Sequence, residues 1–235
     1  RHARRPRRRE AQVDFDCPTR LLGEYARRLG AARGRLGPGV RLTVTTLPSW
    51  LDAAGFAELL GAVDGWTLQV HATARPSLDQ PAPLFAAEPS ISWIRRACRL
   101  GKPFRVALPT YAYVACFDAR GRYLGVHAEG GDWPEGTART QCLPSRPEEV
   151  ARVLRELDDR LYGNVLGIDW YRLPLPGDAQ AWTVGGLGKV IAGRPLGGAA
   201  RIELVREGAL VDVAAVNDTE QPLPLPTARL RWNCL

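Results

Sequence analysis

The sequence predicts an α/β fold built on parallel strands, and two observations carry this. Strand-like and helix-like segments alternate through about five strand-then-helix units between residues 12 and 191. Such alternation lays helices over parallel strands. Glycine and proline punctuate the units, as in Gly37-Pro38-Gly39 and at Gly101. No Gly-x-Gly-x-x-Gly follows a strand. Gly185-Gly186-Leu187-Gly188 lies inside the last helix-like segment and lacks the Lys-Ser/Thr of a phosphate loop, so it reads as close helix packing. Five such units can form an open sheet or part of a barrel.

Residues 12–16 read as the first strand. Residues 20–33 place Leu21, Leu22, Tyr25, Ala26 and Leu29 at helical spacing. Residues 40–47 are rich in β-formers, and 53–63 form a short amphipathic helix. The next strand is 66–71. A proline-rich loop runs to Pro89, a helix covers 91–100, and 104–111 is the fourth strand. Residues 113–117 and 123–127, joined around 118–121, predict a hairpin inserted after it. Residues 147–161 form a strong helix, with Ser145 as its cap and Glu148 and Glu149 in its first turn. The fifth strand is 164–173, and 179–191 is helical. From residue 200 the pattern turns to β, with strands at 201–205, 210–216 and, past Pro222, Pro224 and Pro226, at 228–232. The organisation expected is thus an Arg-rich tail over 1–10, an α/β body over 11–196 and a β-rich segment over 197–235.

Composition narrows the function. The formal net charge is +7, but six arginines fall between Arg1 and Arg9, and removing them leaves +1. The body is nearly neutral, which argues against a nucleic-acid partner, and the tail reads as a disordered extension. No apolar run approaches the roughly 20 residues of a membrane span. The chain begins with Arg and has no Met, so its true start, with any targeting signal, is expected upstream. The compartment stays open between the cell envelope and export. Cys17, Cys98, Cys116, Cys142 and Cys234 show no metal-ligand spacing. They read as free thiols, with a Cys116 to Cys142 bridge as the alternative for an exported protein. No cofactor and no metal are called for, and the oligomeric state is open.

The chemistry gathers at the strand ends. Asp14 and Asp16 stand two apart, so on a strand they would share one face. Neighbouring carboxylates repel and resist burial unless they meet donors, a metal or a substrate. In parallel sheets the C-terminal strand ends carry the active sites. The other ends bring Trp50, then Gln69 and His71, then Tyr111 and Tyr113, then Asp169, Trp170 and Arg172, and the insertion adds Glu129. Acids with aromatics at one rim suit a sugar, whose apolar ring faces stack while its hydroxyls bind polar groups. A carboxyl pair can run glycosidic acid/base or nucleophile chemistry. Singly, each residue also has a structural role open to it: His71, Trp50 and Trp170 in packing, and Arg172 in pairing with a barrel carboxylate.

Five stretches occur in order: Gln-Val-Asp-Phe-Asp-Cys-Pro, Thr-Thr-Leu-Pro-Ser-Trp-Leu, Leu-Gln-Val-His, Phe-Arg-Val-Ala-Leu-Pro-Thr-Tyr and Gly-Ile-Asp-Trp-Tyr-Arg-Leu-Pro. Together they resemble the bacterial family catalogued as domain of unknown function 3142, over about residues 12–196. The resemblance implies a glycoside-hydrolase-like (β/α)8 barrel. About three units would precede the Asp-Phe-Asp strand, so this chain would be a partial barrel holding strands four to eight. It brings no established activity. The chitinase-type glycosidases carry Asp-x-x-Asp-x-Asp-x-Glu on that strand. The matching positions here are Ala11, Asp14, Asp16 and Pro18, so only the two inner aspartates match.

Two readings follow. In one, the parent protein acts on a polysaccharide, with Asp16 and Glu129 as the carboxyl pair and Asp14 orienting Asp16. Trp50, Gln69, His71, Tyr111, Tyr113, Trp170 and Arg172 would then bind the glycan. In the other, a degenerate barrel binds carbohydrate, or serves the envelope, without turnover. A five-stranded piece is further expected to be open, with the Asp14 strand at one edge. Val44, Val70, Val106 and Ile168 would be partly uncovered, leaving the chain marginally stable.

Overall fold

The computed structural model describes residues 9–79, 83–128, 131–160, 163–208 and 210–219. In chain order the elements are β1 (Arg9–Val13), α1 (Leu22–Arg33), β2 (Val40–Thr46), α2 (Phe56–Gly61), β3 (Gly65–Gln69), α3 (Ala87–Cys98), β4 (Phe104–Pro109), β5 (Ala112–Phe117), β6 (Tyr123–His127), β7 (Arg139–Pro144), α4 (Pro147–Arg160), β8 (Val165–Tyr171), α5 (Val184–Ile191), β9 (Ala200–Glu207) and β10 (Leu210–Asn217). The chain divides into two units. The first comprises Arg1–Arg75, Ala82–Pro109 and Glu149–Tyr171; the second comprises Pro76–Pro81, Thr110–Glu148 and Arg172–Leu235.

The first unit is mixed α/β around a five-stranded sheet of order β1-β2-β3-β4-β8, every pair parallel. Side chains alternate faces along each strand, and the two faces differ in kind. Leu42, Val44, Trp66, Leu68, Phe104, Val106 and Leu108 are all at most 2% exposed. They share the apolar interior with Leu22 and Leu29 of α1, Phe56 and Leu59 of α2, Ile94 of α3 and Val153 of α4. Phe56 meets Trp66 edge-on at 5.7 Å, and Trp66 stacks on Phe104 at 4.6 Å.

The opposite face is polar. Glu10 accepts from Thr43 at 3.0 Å and lies 3.8 Å from Arg41. Gln12 donates to Thr45 at 3.1 Å. Thr67 donates to Asp169 at 2.9 Å, and Arg105 pairs with the same carboxylate. At Gly65 on this face, a Cβ would come within 2.9 Å of the Arg41 guanidinium, so a glycine leaves room for it. The expectation of uncovered apolar residues is therefore corrected. Val44, Val70 and Val106 are 0–1% exposed, because the period of two sends them to the helix-covered side. Only Ile168 is half-buried.

Several boundaries shift for local reasons. β1 runs from Arg9 to Val13, so it begins inside the expected tail and ends before Asp14. α2 starts late, after Gly55 at φ +87, where a Cβ would meet the backbone nitrogen of Gly23 at 3.0 Å. α3 starts early, since Pro89 is tolerated in a first helical turn. Its first free N–H, on Ala87, is bound by Glu149 at 2.8 Å.

In the second unit the predicted hairpin is a three-stranded antiparallel sheet of order β6-β5-β7. The sequence reading missed β7 because Arg-Thr-Gln-Cys-Leu-Pro lacks a clear alternation. Ser145 is not the cap expected: α4 begins at Pro147, which puts Arg146 at the cap position, and the Ser145 hydroxyl donates to the Tyr111 carbonyl at 2.7 Å. The stretch before α5 is extended, with Ala181 bridged to Tyr111 and the Trp182 N–H donating to Thr110. Thr183 then caps the helix by accepting from Gly186 at 2.9 Å. β9 and β10 form an antiparallel hairpin. The expected strand at 228–232 lies outside the described residues. Cys17, Cys98, Cys116 and Cys142 are free, so the Cys116 to Cys142 alternative is corrected too. No helix among the described residues is long and apolar enough to cross a membrane.

Two outcomes are expected for stability. Trp66→Ala should cost about 3–5 kcal/mol in denaturant unfolding, because it empties the contact between α2, β3 and β4. Asp64 accepts from the Leu42 N–H at 2.9 Å and pairs with Arg33 at 2.6 Å. The Arg33 hydrogen bond first, and the Leu42 N–H second, hold its carboxyl below the ordinary value. A depressed native pKa stabilises above the unfolded value of about 3.9 and is lost as pH falls through the native one. Asp64→Ala should therefore destabilise at neutral pH, and its deficit should close in acid.

Candidate functional site

Asp14 and Asp16 do not share a strand face as expected, because β1 has already ended at Val13. They stand in the following loop, both exposed, with Phe15 between them. The loop is turned by a bond from the Cys17 N–H to the Phe15 carbonyl at 2.8 Å. Below it Cys17 is buried, and burial pushes its thiol up, with Arg20 acting in the opposite sense. Tyr25 reaches under the loop from α1. Its phenol is pushed up to about 12, first by burial, then by Cys17, Asp14 and Asp16. Phe15 meets Tyr25 edge-on at 5.7 Å, and Tyr25 meets Trp50 at 6.3 Å. Trp50, expected to stack on a ligand, is 1% exposed and serves as the buried end of this aromatic row. Asp14, Asp16 and Trp50 are thus brought together, through a tyrosine the sequence reading used only as a core residue.

Farther along the same sheet, the Gln69 side chain donates to the His71 carbonyl at 3.2 Å. The His71 imidazole is 2% exposed and stacks with Tyr171, centroids 5.5 Å apart. Burial pushes it down to about 4, so it is neutral at physiological pH. Trp170 alternates with Asp169 and takes the opposite face, half-buried. The sequence places Asp169 at the rim without a partner. In the structure it is the carboxylate that joins β3, β4 and β8 through Thr67 and Arg105. The period of two shared by Arg105, Thr67 and Asp169 was the available signal.

In the second unit Tyr111 and Tyr113 lie 6.3 Å apart, ring centre to ring centre. Tyr113 is buried, and burial, then Tyr123, raises its phenol. Arg172 pairs with Asp178 at 2.9 Å, a carboxylate in the stretch after β8 and not one on the sheet strands. Asp178 also accepts from the Leu175 N–H at 2.7 Å. That backbone bond first, and Arg172 after it, hold its carboxyl below the ordinary value. Glu129 lies outside the described residues. Among the described residues no group of three or more His, Cys, Asp or Glu side chains could hold a metal.

A lowered histidine pKa makes stability rise with pH between the native and unfolded values. The native protein should therefore lose stability as pH falls from about 6.5 to about 4, on the order of 3 kcal/mol in total. His71→Leu should flatten that part of a urea-unfolding pH profile. An unchanged slope would remove His71 as its source.

No curated protein matches the chain. Its fold is similar to that of the spore cortex-lytic enzyme SleL of Bacillus cereus, at 14% identity and a TM-score of 0.49, over 72% of this chain and 46% of that one. It is similar to the chitinase ChiA74 from Bacillus thuringiensis at 12% identity and 0.44, over 88% and 49%. A family 18 N-acetylglucosaminidase from Paenibacillus barengoltzii gives 12% identity and 0.37, over 68% and 64%. The chain spans about half the length of the first two. At these values the likenesses carry nothing about chemistry. Residues 3–176 match the family described as Domain of unknown function (DUF3142), and the chain belongs to that family.

Proposed function

We propose that the parent protein acts on a polysaccharide by carboxylate acid/base chemistry, with the loop after β1 as its acidic centre. The observation that carries this is the pair of exposed carboxylates flanking an exposed aromatic ring at the C-terminal end of a parallel strand. Asp16 is the working carboxyl and Asp14, two residues before it in the same loop, orients it. Glu129 is kept from the sequence as the second carboxyl. Gln69 offers a polar contact on the same sheet, and the buried His71 positions it by accepting from its amide through the backbone carbonyl at 3.2 Å. We further read the five parallel strands as strands four to eight of a (β/α)8 barrel. Their consecutive order, with a helix after each of the first four, supports this.

The alternative is carbohydrate binding without turnover. It is favoured by Pro18, which stands where the chitinase-type glycosidases keep their acid. A glycan panel on the full-length parent separates the two. Turnover of one glycan, falling about 100-fold or more in Asp16→Asn, is the expected result. Binding without product selects the alternative. Turnover unchanged in Asp16→Asn sinks the assignment of Asp16.

A further inference from the structure

The loop after β1 carries more than its two carboxylates. Phe15 is 56% exposed between them. Its ring rests on Tyr25, which rests on the buried Trp50. The row holds Phe15 in place from below without covering it. Tyr25 itself is 7% exposed, and its hydroxyl is buried with no hydrogen-bond partner among the described residues. Phe15, the residue between the two carboxylates, meets the Tyr25 ring edge-on at 5.7 Å, so Tyr25 packs directly against the acidic loop. Its phenol stays protonated at physiological pH and is a standing donor. A buried donor without an acceptor is unfavourable, and the residue the Tyr25 ring packs against carries a carboxylate on either side in sequence.

A pyranose ring offers an apolar C–H face to an aromatic ring and a rim of hydroxyls to acceptors. We propose that Asp14, Phe15 and Asp16 form a sugar-ring subsite: Phe15 stacks on the ring, the two carboxylates accept from its hydroxyls, and Tyr25, packed against Phe15, donates to one of them as the loop settles on the sugar. Phe15 is then a binding residue and Tyr25 a positioning residue. The sugar class rests on the function proposed above.

The test is aromatic carbon–proton NMR of the whole chain titrated with chitotetraose and with cellotetraose at millimolar concentration. The ring signals of Phe15 and Tyr25 should shift and saturate with at least one of them. Phe15→Ala should weaken that binding about tenfold or more. Tyr25→Phe keeps the ring and should weaken it about three- to tenfold without lowering the thermal midpoint. Rings that respond to neither sugar, or affinities unchanged in both variants, overturn the subsite. Silent rings with turnover lost in Asp16→Asn defeat the subsite and leave the acid/base function standing. Responding rings with no product from any glycan do the reverse.

Discussion

The period of two along β3, the central strand of the parallel sheet, is the constraint on which the first unit depends. Gly65, Trp66, Thr67, Leu68 and Gln69 alternate faces. Trp66 and Leu68 go to the side where Phe56 and Phe104 complete an apolar interior. Thr67 goes to the other side, where it meets Asp169. A slip of one residue would bury the threonine hydroxyl among the aromatic rings and turn the tryptophan toward Arg105. The hydrogen bonds of the polar face and the burial of the apolar face therefore enforce the same register.

That division has a consequence for the acidic loop. Among the described residues β1 lies at the edge of the sheet, paired with β2 alone. Tyr25 and Trp50 support its C-terminal loop from α1 and from the short 3-10 turn after β2 (Pro48–Trp50). The row they form with Phe15 joins the loop to the core through aromatic contacts instead of backbone pairing. Asp14 and Asp16 can then stay in water, where two like charges cost little.

The second unit is organised by a different device. Ser145 donates to Tyr111, and the Trp182 indole donates to the Ser145 carbonyl at 3.0 Å. The Trp182 N–H in turn donates to Thr110. Three segments far apart in sequence are thus joined by buried polar groups that satisfy one another, the condition under which such groups stabilise instead of cost.

The sequence by itself determined the strand-then-helix alternation, the parallel sheet, the family, and the stretches that hold the acids. These are local properties: periodicity, glycine and proline punctuation, and an ordered set of short runs. Tertiary structure decided what each side chain meets. Trp50 and Trp66 look alike as tryptophans in apolar runs, and neither their neighbours nor their spacing shows that both are core. The end of β1 before Asp14, the pairing of Arg172 with Asp178, and the polar face of the sheet all depend on partners 6 to 102 residues away. Tyr25 shows this most clearly. Its helical spacing marked it as buried, while its ring contact with Phe15 and its hydroxyl without a partner among the described residues became visible only once the chain had folded around it.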